Sequence, residues 1–187
     1  MSRLVFMLEE PSLKTLLEEL LPRLFPELDF LCVAHEEKSD LEKSVPRKLR
    51  AWAVPGDRFV VVRDNDGSDC LALKARLGNI CLSAGRPDTL IRIVCQEVEA
   101  WYLGQPDAVA AAFGKPGIPA KCRTARFRNP DTILKPSNDL YSFCPGFQKI
   151  GGARAMAPHL SYTQNCSQSF RAFVEGIARI TGFSLPR

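Results

Sequence analysis

Histidine is almost absent from this chain: among 187 residues only His35 and His159 carry an imidazole. Seven cysteines are present, yet no two stand in a C-x-x-C spacing, which argues against the Cys/His sets that hold structural zinc. No apolar run approaches the length of a membrane helix. The first residues lack a signal peptide's order of charge, apolar run and small-residue cleavage site. No glycine-rich phosphate loop of the Walker type occurs, so ATP hydrolysis by this polypeptide itself is not expected. There is no internal repeat and no low-complexity tail. These absences lead to the expectation of a cytoplasmic protein with no membrane attachment, its cysteines serving mostly as small core side chains in a reducing compartment.

What is present fits a globular chain. A hydrophobic content of 45% with 25% charged residues is ordinary for a soluble protein. The length suits a single domain over 1–187 with a substantial core. A net charge of +4 permits nucleic-acid binding without demanding it. The basic residues are clustered, with Lys43, Arg47, Lys48 and Arg50 before the Phe59 run. Lys115, Lys121, Arg123, Arg126 and Arg128 crowd a Pro/Gly-rich stretch around Phe127. The second cluster can track a phosphate backbone, or simply face water.

Phe59 to Val62 reads as a buried strand, and Arg63-Asp64-Asn65-Asp66-Gly67 follows where that strand should stop. On an extended backbone Asp64 and Asp66 point the same way. Two anions so close call for a hard cation such as Mg²⁺ or Mn²⁺. The same tetrapeptide is also good turn chemistry. A second element of the same kind lies near the N-terminus. Leu4 to Leu8 is an apolar run ending in Glu9 and Glu10, and Pro11 then opens a helix with leucines at three- and four-residue steps. Pro22 is expected to stop or kink that helix.

Further along, Phe30 to Ala34 predicts a second strand and Asp40 to Trp52 a helix, capped at Ser39 or Asp40. Asp69 to Leu82 predicts a third helix and Thr89 to Cys95 a fourth strand, followed by Glu97 and Glu99. Alternation of this kind predicts an α/β fold: a mostly parallel four-stranded sheet covered by helices on both faces, with ligands bound beyond the carboxyl ends of the strands. Residues 1–104 form the α/β core in this reading, and 105–187 a loop-rich and helical extension. The extension carries helices at Pro106–Phe113, Gly151–His159 and Ser167–Ile180. Trp52 and Trp101 read as core residues, His159 as structural and Asp69 as a helix cap.

Leu8-Glu9 and Asp64-Asn65-Asp66 resemble the two acidic motifs of the Toprim domain, shared by topoisomerases, bacterial primases and several nucleases. Glu10 stands where that family more often has glycine. The fuller pattern is similar to a small uncharacterised bacterial family of Toprim-like proteins. It includes Lys38 to Leu41, Arg47 to Arg50, Arg63 to Cys70, Glu97 to Trp101, Arg128 to Asp131, Gln148 to Arg154 and Ser169 to Arg171. The motifs are related to those of the overcoming-lysogenization-defect nucleases. The resemblance implies a Toprim-like Rossmannoid fold, and genes of this kind often lie beside AAA-type ATPases, which implies an ATPase partner and a role in phage defence.

It also implies Mg²⁺-dependent nuclease activity on DNA or RNA. Glu9, Asp64 and Asp66 would be the catalytic and metal-binding residues, with Glu97 or Glu99 completing a second metal position. Glu97 has a plainer reading as a helix cap. Lys121, Arg126, Arg128, Lys149 and Arg154 are the candidates to contact nucleic acid, with surface ion pairs as the alternative. The other functional class is a non-catalytic module that binds nucleic acid or a partner. Oligomeric state is not legible in the sequence.

Overall fold

The protein is described from a computed structural model, covering residues 3–35 and 38–186, without the side chains of 38–40. The expected cap at Ser39 or Asp40 lies outside the described side chains. Four strands alternate with three helices: β1 (Leu4–Leu8), α1 (Pro11–Leu24), β2 (Phe30–Ala34), α2 (Lys38–Ala51), β3 (Arg58–Asp64), α3 (Cys70–Ser83) and β4 (Leu90–Val94). The sheet order is β2-β1-β3-β4, and every pairing is parallel. The chain therefore moves from β1 to one side, then crosses back to β1's other edge to lay down β3. That reversal opens a crevice between the carboxyl ends of β1 and β3. Leu8 pairs with Val62 in register, so Glu9 and Glu10 leave the sheet beside Arg63 and Asp64.

The two-residue period of each strand sorts its side chains between two cores. Val5, Met7, Phe59, Val61 and Ile91 face α2 and α3. Leu4, Phe6, Leu8, Val60, Val62 and Val94 face α1 and the C-terminal helices. Strands buried on both faces explain why their sequences read as unbroken apolar runs rather than alternating ones.

After β4 come α4 (Glu99–Leu103), α5 (Pro106–Phe113), α6 (Ile118–Lys121), two short 3-10 turns, α7 (Pro136–Phe143), α8 (Lys149–Met156) and α9 (Gln168–Thr181). The apolar cluster on the α1 side continues from the sheet into this extension through Trp101, Ile118, Phe127, Leu140, Phe147 and Phe173. The caps fall where their chemistry suggests. Asp69 accepts the N–H of Ala72 at 2.6 Å to open α3, and Ser167 accepts that of Phe170 at 3.2 Å to open α9.

Two local expectations change. Helix α1 runs through Pro22 to Leu24. The proline falls in the last turn, where only one hydrogen bond is lost, and buried Leu20, Leu21 and Leu24 hold that turn on the core. Strand β3 ends at Asp64, and the chain then turns left-handed, with φ of 49° at Asp66 and 80° at Gly67. Asp66 is exposed while Asp64 is buried, so the two carboxylates do not share one strand face.

Candidate functional site

The carboxyl ends of β1 and β3 bring two acids from distant parts of the chain together. Glu9 is 2% exposed, and its Oε2 accepts the backbone N–H of Asp64 at 3.2 Å. The same oxygen lies 3.7 Å from Arg63 Nε. Arg63 continues to Glu42 on α2, which also takes Arg76 of α3 at 2.9 Å. Glu9 is thus held from the α2/α3 side of the sheet. Next to it, His35 follows β2 directly, with Nδ1 2.9 Å from the Leu8 carbonyl and Nε2 3.1 Å from Lys48 Nζ. With Lys48 donating to Nε2, Nδ1 carries the ring proton and donates to Leu8.

On the opposite side stand Glu10, Glu99 and Lys149. Helix α4 places Glu99 at 1% exposure, and among the described residues neither of its side-chain oxygens has a hydrogen-bond partner. The buried Tyr102 hydroxyl, one turn on, has none either. Lys149, from the first turn of α8, donates to both Glu10 oxygens at 3.1 Å. Helix α4 is fixed by its own contacts. Trp101 Nε1 donates to Ser169 Oγ at 2.9 Å, and Asn165 Nδ2 donates to the Trp101 carbonyl at 2.7 Å. Asp131 accepts from the Ser167 hydroxyl at 2.7 Å and the Ser169 N–H at 2.8 Å. The Arg128–Asp131 and Ser169–Arg171 segments therefore meet behind Glu99.

The field of this cluster is strongly negative. Burial first, then the Glu9, Glu10, Glu99 and Asp66 charges, holds the Asp64 carboxyl well above the usual carboxylate range. Burial pushes Glu99 up to about 7 against the opposing pull of Lys149. The Tyr102 phenol is raised by burial and by Glu99 and Asp64. Burial pulls Lys149 down, but Glu99, Glu10 and Asp64 more than offset it, and its ammonium is held above the ordinary lysine value. Displaced titrations gathered at one crevice make it a candidate functional site.

The other candidates lie in different settings. Glu97 turns away from the cluster: its carboxylate accepts the Ser137 N–H at 3.1 Å and lies 3.3 Å from Lys135 Nζ. It thereby satisfies the first turn of α7, rather than that of the helix immediately after it. Burial raises its carboxyl, but the Ser137 and Lys135 bonds outweigh that and leave it below the ordinary value. Lys121 sits over the Phe143 ring at 5.6 Å, Arg126 pairs with Asp139 at 2.7 Å, and Arg154 lies 3.5 Å from Glu19. Arg128 is exposed. Of the basic candidates, Lys149 is the one whose charge acts on the acidic cluster. Sequence reasoning gave no role at this rim to Arg63, His35 or Tyr102, whose places depend on packing.

The Glu9 and Asp64 carboxylates at a β1/β3 switch point, in an all-parallel sheet of order 2-1-3-4, define a Toprim-like α/β domain. The chain belongs to the family described as domain of unknown function DUF4276, whose model matches residues 8–178. No curated protein matches it. Among solved structures it is similar to the C-terminal region of the Burkholderia pseudomallei OLD protein, at 15% identity and a TM-score of 0.57, covering 96% of this chain and 98% of that one. The C-terminal region of the Xanthomonas campestris pv. campestris OLD protein matches at 14% identity and a TM-score of 0.54, with 97% of each chain covered. At this identity the likeness establishes the fold alone. No helix among the described residues is long and apolar enough to cross a membrane.

Proposed function

We propose that this protein is a metal-dependent nuclease that hydrolyses phosphodiester bonds in DNA or RNA with Mg²⁺ or Mn²⁺. The observation that carries the reading is the contact of Glu9 with Asp64 at the mouth of the sheet, near a Glu99 carboxylate whose two buried oxygens have no hydrogen-bond partner among the described residues. The donor set fits a hard divalent ion: all-oxygen, anionic and partly shielded from water. Among the described residues no three acidic, imidazole or thiol side chains are already grouped tightly enough to hold one. Binding therefore requires side-chain closure, with Asp64, Glu9 and Glu99 swinging onto a shared point and Asp66 reaching in from its exposed turn.

A bound Mg²⁺ supplies Lewis acidity at the scissile phosphate and neutralises charge developing in the transition state. Asp64 and Glu9 hold and orient that centre. Glu9 is also placed to take the proton of an attacking water. Lys149, released from Glu10, offers its ammonium to a phosphate oxygen. The exposed Lys121, Arg126, Arg128 and Arg154 supply longer-range attraction for a polyanion. A cytoplasmic location, an AAA-type ATPase partner and a role in phage defence complete this reading.

The test is cleavage of plasmid DNA and of RNA by purified protein with Mg²⁺ or Mn²⁺. Activity lost in Asp64→Ala and in Glu9→Ala, with folding intact, supports the nuclease. A second reading, a non-catalytic module for nucleic acid or a partner protein, is favoured by Lys149, which already neutralises part of the acidic cluster. Binding of nucleic acid without divalent ions, unchanged in Asp64→Ala, together with no cleavage, would establish that reading instead.

A further inference from the structure

Cys70 and Cys95 come from different strand–helix units, 25 positions apart, yet their sulfurs lie 3.9 Å from each other. Neither is fully buried, unlike Cys32, Cys81, Cys122 and Cys144. Cys70 is the first residue of α3, and Cys95 is the first residue after β4. The loops carrying them are already stitched together through Asn65. Its amide N–H₂ donates to the Ser68 carbonyl at 2.7 Å and contacts Cys70 Sγ at 3.2 Å, while its side-chain oxygen accepts the N–H of Gln96. Each loop also holds a non-glycine residue in the left-handed region, Asp66 at φ 49° and Gln96 at φ 65°. That costs conformational energy and persists where the surroundings over-determine the backbone.

We propose that Cys70 and Cys95 are a modification site: they form a reversible disulfide that clamps the Asp66-bearing turn to the exit of β4. Shortening the sulfur separation to the bond length of about 2.05 Å requires side-chain rotation and a small loop adjustment. The oxidant is a low-molecular-weight disulfide such as glutathione disulfide. The Cys70 thiolate attacks one sulfur of that reagent and releases one thiol. The Cys95 thiolate then attacks the Cys70 mixed disulfide and releases the second. Two protein thiols are oxidised, one reagent disulfide is reduced to two thiols, and the two protons end on those thiols. Burial and then Asp131 push the Cys95 thiol up to about 12.

The clamp joins the turn after β3 to the exit of β4, and its formation requires neither a metal nor a substrate. A full-length Cys166→Ser variant removes the one exposed competing cysteine. The folded, reduced protein is incubated with glutathione disulfide, alkylated under denaturing conditions and digested with trypsin without reduction. The expected product is a single cross-linked species joining peptide 64–74 to peptide 93–121, each of which carries one cysteine. It should revert with dithiothreitol and be absent when Cys70→Ser is added. Amide exchange of residues 65–69 should slow in the linked form. A persistent pair of separate glutathione adducts, a link to any other cysteine, or linkage only after unfolding overturns the proposal. None of these outcomes depends on nuclease activity, so the two ideas fail separately.

Discussion

The Glu9 carboxylate accepts the backbone N–H of Asp64 at 3.2 Å although 55 positions separate the two residues. That single bond ties the end of β1 to the end of β3 across the switch point of the sheet. It also sets two carboxylates against each other in a poorly solvated crevice, with Glu10 and Glu99 adding to the field. Metal-free protein carries this repulsion as a cost.

Stability of the metal-free protein should rise as pH is lowered from above neutrality. The Glu99 carboxyl goes from its ordinary 4.5 to about 7 on folding. Its share of stability is therefore fully present below about pH 4.5 and is lost as pH rises through about 7. The size is on the order of 3 kcal/mol at most, from about 1.4 kcal/mol per pH unit of displacement. Asp64 acts in the same direction. Urea unfolding across this range checks it, and Glu99→Gln should flatten the slope while raising stability near pH 8.

Lys149→Met should destabilise the metal-free protein at neutral pH. Its ion pair with Glu10 is more than a third exposed on the lysine side, so the loss is discounted for solvent screening to roughly 1 kcal/mol. In a chain of this size that is a fall of about 2–4 °C in Tm. The deficit should shrink at acid pH, as carboxylates protonate, and on adding Mn²⁺. A uniform deficit at every pH would assign Lys149 a packing role instead.

Helix α4 positions Glu99 through a close backbone approach. A Cβ on Gly104 would sit 2.9 Å from the Ser167 nitrogen and nearer still to the Asn165 side-chain oxygen. The Gly104 backbone itself is helical at φ −65°, so any cost is steric. Gly104→Ala should lose about 2–3 kcal/mol, the range for overpacking a filled interior. The nearest atoms to a Cβ on Gly176 belong to the Arg92 guanidinium, the far end of a long side chain, which would have to shift from the Ala172 carbonyl it donates to; Gly176→Ala should lose less than Gly104→Ala, about 1 kcal/mol. Chemical denaturation of the two variants in parallel decides this.

Much of the framework was legible because its signals are local. Apolar runs ending in carboxylates located the strand ends at Glu9 and Asp64. Asp69 and Ser167 announced helix starts through side chains that bond backbone a few residues away. The site's finer arrangement is set by contacts between distant segments, which no window of sequence displays. Glu97 and Glu99 are near neighbours in sequence with the same chemistry. They part company only because α7 brings the Ser137 N–H and Lys135 to Glu97. Lys149 reads as a surface base until α8 packs on α1 and delivers it to Glu10. Strand periodicity puts Asp66 on the Asp64 face, but β3 ends at Asp64, two residues too soon for that periodicity to reach Asp66.

The most direct test of the central claim is an anomalous-difference map from crystals soaked in Mn²⁺. The account predicts a peak at the β1/β3 crevice, coordinated by Asp64 and Glu9, with Lys149 displaced from Glu10. A map with no peak there, or with Mn²⁺ held only by exposed carboxylates elsewhere, would contradict it.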